Sequence, residues 1–190
     1  IRCLTEVPGK VSPTMLFARG DFNQPRQEIA PGELAVLNSS GFKIAPNDPQ
    51  LPTTGRRLAY ARQLTSGRHP LIARVLVNRF WMHHFGQPLV RTPDDFGTRS
   101  DPPSHPLLLD HLAATFMQEG WSLKQLHRRI LSSASYQQSS FDRPDCREVD
   151  PENQLLWRAN RRRLDLESMR DSLLATSGRL DRTIGGRPVD

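Results

Sequence analysis

The sequence predicts a mainly α fold: a helical bundle with a small β-containing N-terminal arm. Three observations carry this. From Gly55 onward, apolar residues recur with helical spacing. Start and stop residues punctuate that stretch, with Pro70, Ser104, Ser122 and Pro151 at starts and Gly86, Gly120 and Gly178 at stops. Before Gly55 the pattern changes to short apolar runs, Pro13 to Ala18 and Glu33 to Leu37, bounded by Gly and Pro as edge strands are. The chain therefore divides into an extended arm and linker, 1–54, and a helical domain, 55–190.

The elements are expected in the following order. Residues 38 to 54 are rich in Ser, Pro, Asn and Asp and read as linker. A first helix covers roughly 55 to 66. A second starts at His69-Pro70, with Pro at the first helical position, and stops at Gly86. A loop from Gln87 to Ser104 follows. The third helix runs from about His105 to Glu119, with Ser104 as N-cap. The fourth begins at Ser122, where Ser122 and Gln125 fit a capping box, and runs to about Tyr136. A polar loop at 138 to 149 precedes a short fifth helix from Asp150 through Trp157. A sixth spans about Asp165 to Ser177.

At 190 residues the chain is long enough for one domain, or one domain with a small lobe. Its composition, 36% hydrophobic and 24% charged, is that of an ordinary globular protein. No apolar run approaches the roughly 20 residues a membrane span needs. The first residue is Ile1, no signal peptide is visible, and the chain is expected to be a piece of a longer protein. The net charge is +6, and 23 of the 26 basic residues are Arg. GC-rich coding is the bland cause. In either case Arg tolerates burial better than Lys and forms bidentate pairs with carboxylate, phosphate or sulfate. Arg161-Arg162-Arg163 is the one dense basic run, which argues against a nucleic-acid surface. Cys3 and Cys146 lie in no CxxC or CxxCH motif, so neither a zinc site nor haem attachment is expected; a bridge between them stays open.

The second helix is apolar almost all round yet carries charge. Such a helix is expected to be buried, and buried charges must be paired or functional. On a helical wheel Arg74 and Asn78 share one stripe, flanked by Leu71, Trp81, Met82 and Phe85. Arg79 and His83 share another, flanked by Ile72, Val75 and Leu76. These stripes either tie the helix to neighbouring carboxylates and carbonyls or line a pocket for an anionic or polyhydroxylated ligand. Arg74, Asn78, Arg79 and Arg91 are the ligand-binding candidates. His83 and His84 point about 100° apart and no HExxH is present, so no metal site is assigned; His84 is expected to interact with the helix C-terminus.

The fourth helix has Leu123, Leu126, Ile130 and Ala134 as its buried face. His127 falls within that face, a satisfied core residue or a catalyst, while Lys124, Arg128 and Ser132 face outward. On the sixth helix Arg170 is embedded in the face of Leu166, Met169, Leu173 and Leu174. The recurrence of embedded polar groups leads to the expectation of a shared buried network. The loop Val90 to Gly97 offers Asp94 and Asp95 as a general acid/base pair or cation ligands, or as plain turn residues. The catalytic candidates are thus His83, His127, Asp94 and Asp95. No GxSxG, P-loop, GxGxxG or Cys/His nucleophile pattern occurs.

The run His69-Pro-Leu-Ile-Ala-Arg-Val-Leu-Val-Asn-Arg-Phe-Trp-Met-His-His-Phe-Gly86 resembles the core signature of a planctomycete C-terminal domain, domain of unknown function 1553. The stretches 89–97, 102–110, 120–127, 132–140, 150–157, 160–164 and 169–174 continue the resemblance, and Arg19 to Pro25 with Pro31-Gly32 fits it as well. The resemblance implies a large exported protein, hence an extracytoplasmic location, in which this domain follows domain of unknown function 1549 and often a cytochrome-c-like domain. It carries no activity or catalytic residue over, and no cofactor is assigned to this fragment. Three functions follow as expectations. The first is an accessory module binding an acidic or sulfated polysaccharide. The second is a carbohydrate-active hydrolase or redox-linked enzyme. The third is a structural platform for the upstream domains.

Overall fold

A computed structural model describes residues 6, 11, 13–38 and 41–185. Among them are seven α-helices and one two-stranded antiparallel sheet, so the chain is mainly α with a small sheet near its N-terminus. Two compact units are present, Ile1–Ser133 and Ala134–Asp190.

In the first unit, β1 (Met15–Phe17) pairs with β2 (Pro25–Glu28). Met15 faces Glu28, Leu16 faces Gln27, and an irregularity follows before Phe17 meets Pro25. Proline has no N–H for a ladder, which suits it to such an edge. β2 is polar and exposed throughout, and so carries no apolar alternation for a sequence reading to detect. The strand expected at Glu33 to Leu37 does not form. The Leu37 N–H bonds instead to the Leu34 carbonyl at 2.9 Å, closing a turn that a run without alternation does not resist.

α1 (Arg56–Leu64) and α2 (Ile72–Phe85) follow. α2 starts two residues after Pro70 because His69 holds its first turn: Nδ1 accepts the N–H groups of Leu71 at 3.2 Å and Ile72 at 3.3 Å. It stops where expected, at Gly86, whose φ of 82° suits glycine and whose N–H returns to the Met82 carbonyl. α2 is not buried all round. Its buried residues, Ala73, Val77, Asn78, Trp81 and Phe85, form one stripe.

That stripe packs on α3 (Pro106–Gln118) and α4 (Leu123–Leu131), which also pack on each other. α3 supplies Leu109, Leu112, Ala113 and Phe116; α4 supplies Leu126 and Ile130. Trp81 stacks on Phe85 with ring centroids 4.1 Å apart. Full burial of each large side chain here stabilises by about 1.5–3 kcal/mol. Pro106 opens α3 with His105, not Ser104, as N-cap. Ser122 caps α4 by accepting the Gln125 N–H at 3.4 Å. Leu123 and Ala134, expected on the buried face, are exposed. α4 ends at Leu131, and the Ser133 hydroxyl takes the Ile130 carbonyl at 2.7 Å.

The second unit holds α5 (Ala134–Gln137), α6 (Pro144–Val149) and α7 (Leu166–Thr176). α6 occupies the expected polar loop, with Pro144 in its first turn. The helix expected from Asp150 to Trp157 is absent. The Asp150 carboxylate accepts the N–H groups of Gln154 and Leu155, and Asn153 and Leu156 take φ values of 55° and 56°. Asn153 is buried, donating to the Arg158 carbonyl and accepting the Arg158 N–H. On α7 no residue is buried, so Leu166, Met169 and Leu173 are not a core face. Arg170 is not embedded either: its side chain is exposed, 3.6 Å from Asp171. Cys146 is a free thiol; Cys3, its expected potential partner, lies outside the described residues.

Candidate functional site

α2 positions most of the residues singled out by sequence. Asn78 is fully buried and spends its whole amide on one residue: Oδ1 accepts the Val90 N–H at 2.9 Å, and Nδ2 donates to the Val90 carbonyl at 3.1 Å. The next residue, Arg79, pairs with Asp94 at 2.8 Å. The helix and the loop expected to carry function are thereby joined at two points, one buried and one at the surface. The Arg79 side chain is 53% exposed. Arg74 donates to Asp110 on α3 at 2.7 Å and to the Pro70 carbonyl at 2.8 Å. Two of the expected embedded arginines are therefore surface ties.

The loop itself is built by turn chemistry. Asp95 Oδ1 accepts the Gly97 N–H at 2.8 Å, and the Thr92 hydroxyl donates to the Asp95 carbonyl at 2.7 Å. Arg91 and His83 are exposed. His127 is half-buried and bonded to His84: Nε2 of His84 and Nδ1 of His127 are 2.7 Å apart. The His84 ring thus reaches α4 as well as lying beside the end of its own helix. Phe80 meets the His127 ring edge-on, with centroids 5.2 Å apart. Among the described residues, no group of three or more His, Cys, Asp or Glu gathers that could hold a metal ion.

A second polar cluster was not visible in the sequence. The side chains of Glu33 and His69 are 3% and 5% exposed, with Glu33 Oε2 4.0 Å from His69 Nε2. Since His69 Nδ1 accepts two backbone N–H groups, the ring proton is placed on Nε2, toward Glu33. The other Glu33 oxygen accepts the Leu34 N–H at 2.8 Å. The carboxylate pushes the Tyr60 hydroxyl above its ordinary pKa, first by hydrogen bonding, then by burial and by charge repulsion of the phenolate. These contacts span residues 33, 60 and 69, so no local spacing announces them. The closest local signal is the His-Pro pair just before α2.

A family model described as a protein of unknown function, DUF1553, matches residues 56–190. The chain belongs to the DUF1553 family. No curated protein and no solved structure matches it. The DUF1553 match begins at the first residue of α1. Glu33 precedes that boundary, yet its carboxylate is buried against residues inside it. No helix among the described residues is long and apolar enough to cross a membrane.

Proposed function

We propose that this DUF1553 domain is an accessory module of an exported, planctomycete-type multidomain protein, and that it binds an anionic polymer. Acidic or sulfated polysaccharide is the ligand class, and the upstream domains of the same polypeptide are its covalent neighbours. One observation carries the reading. The cations of α4 stand outward: Lys124 and Arg128, four residues apart, share one exposed face, while Leu126 and Ile130 anchor the opposite face in the core. A rigid helix thus presents two cations at fixed spacing, within a chain of net charge +6. Arg161, Arg162 and Arg163 add an exposed basic run in the second unit.

Titration of the whole chain with dextran sulfate, against neutral dextran, tests this. Binding to the sulfated polymer alone, weakened by salt and by Lys124→Glu with Arg128→Glu, is the expected result. Equal behaviour with both polymers removes the proposal.

A structural reading is favoured by a different observation: Arg74 and Arg79 are each already tied to a carboxylate. In that reading the domain is a platform for its neighbours and α2 is its spine. Arg79→Met would then lower stability and leave polymer binding unchanged. The acid/base reading of His83, His127, Asp94 and Asp95 draws less support, since Asp94 is engaged with Arg79, Asp95 with its own turn and His127 with His84.

A further inference from the structure

We propose that His84 and His127 form a two-histidine binding site for a divalent transition-metal ion. The pair bridges two helices. His84 stands in the last turn of α2 and His127 in the middle of α4. Nε2 of His84 and Nδ1 of His127 face each other at 2.7 Å, with ring planes 70° apart and both residues half-buried. Their helices are fixed from beneath by the buried side chains of Phe85, Leu126 and Ile130. The two helices that carry the rings are therefore held in place by packing, which fixes the spacing from which a metal site is built.

Each neutral imidazole offers one N–H and one lone pair. Without an ion, one ring donates its N–H to the lone pair of the other. The same two nitrogens are the donor atoms of a chelate. Zinc–nitrogen bonds of about 2.0–2.1 Å at a tetrahedral angle set two ligand nitrogens roughly 3.3 Å apart. The observed 2.7 Å is short of that by about 0.6 Å, so the two rings turn apart as an ion enters between them. On binding, the N–H···N bond breaks and two N–metal bonds form. The ring that donated carries its proton on its other nitrogen instead, so the neutral pair releases no net proton. Water completes the coordination, because no third protein ligand gathers there among the described residues. Imidazole pairs favour Cu²⁺, Ni²⁺ and Zn²⁺ over Mg²⁺ and Ca²⁺, with Cu²⁺ bound most tightly. This pair is distinct from the adjacent His83 and His84, whose side chains diverge by about 100° on one helix.

The test uses the whole chain, titrated with Cu²⁺, Zn²⁺ and Mg²⁺ and followed by thermal melting. The site predicts a rise in Tm with one equivalent of Cu²⁺ or Zn²⁺ and none with Mg²⁺. His84→Gln and His127→Gln should each weaken binding about tenfold or more, while His83→Gln and His111→Gln leave it unchanged. Two measurements on the unaltered chain do not depend on the variants folding. The Cu²⁺ complex should show hyperfine coupling to two imidazole nitrogens, and Zn²⁺ should shift the ring resonances of His84 and His127. Coupling to fewer than two nitrogens, ring shifts confined to other histidines, or stabilisation that survives both His→Gln changes overturns the proposal.

Discussion

Asn78 and Val90 exchange two hydrogen bonds across twelve residues of chain, and Asn78 is wholly removed from solvent. The Asn78 side chain acts as a piece of β-ladder: it accepts from the Val90 N–H and donates to the Val90 carbonyl. Removing it leaves both backbone groups buried without a partner. Asn78→Ala should therefore destabilise by about 2–4 kcal/mol. Asn78→Asp should also destabilise, because a carboxylate cannot donate to the carbonyl and would bury a charge. Urea denaturation of both variants checks this. A cost under about 0.5 kcal/mol for Asn78→Ala would mean that the loop is held by other means.

The surface pairs should behave differently. Arg79 with Asp94 and Arg74 with Asp110 are solvent-exposed ion pairs. A double-mutant cycle on either should give about 0.2–1 kcal/mol at low salt and less at high salt. Arg74→Met should cost more than Asp110→Asn, since it also removes the bond to the Pro70 carbonyl. The same cycle measured at two salt concentrations separates the two contributions.

Tyr60 sets an alkaline limit. Its pKa is raised above the ordinary 10.0, chiefly through hydrogen bonding to Glu33. The fold thus favours the protonated phenol. That stability is fully present below pH 10.0 and is lost as pH rises through the raised folded value. Ultraviolet titration should show one of the two tyrosines ionising late, and Glu33→Gln should move it down. An unchanged curve in Glu33→Gln would remove Glu33 as the cause.

Asp165 sets an acid limit on α7. Its carboxylate accepts the Ser168 N–H at 2.6 Å, and hydrogen bonds from Ser168 lower its pKa below the ordinary 3.8. The cap's contribution is present above pH 3.8 and is lost as pH falls through the lowered value. Protection of the Ser168 amide, its exchange rate relative to an unstructured peptide at the same pH, should fall on acidification, and in Asp165→Ala at neutral pH. Exchange that is equal in both proteins would contradict the cap.

The sequence was legible where the information was local. Gly86 ending α2, Ser122 capping α4 and Asp165 opening α7 are all short-range devices, and each stands where it was expected. Element starts were misplaced where a side chain stood in for the usual cap, as His69 does for α2. The helix expected at 150–157 failed because the Asp150 carboxylate captured the backbone that a helix would have used. The candidate site was legible in part. The tie between Arg79 and Asp94 joins two features that the sequence marked separately. The pairing of His84 with His127, and the burial of Glu33 against Tyr60 and His69, depend on tertiary placement, which spacing along the chain does not encode.

Binding to a polyanion as a function of salt tests the functional reading most directly. The whole chain should bind dextran sulfate with an affinity that falls steadily as sodium chloride is raised, and that falls further in Lys124→Glu with Arg128→Glu at unchanged Tm. Binding that is absent at low salt, or that ignores both salt and the two substitutions, would contradict it.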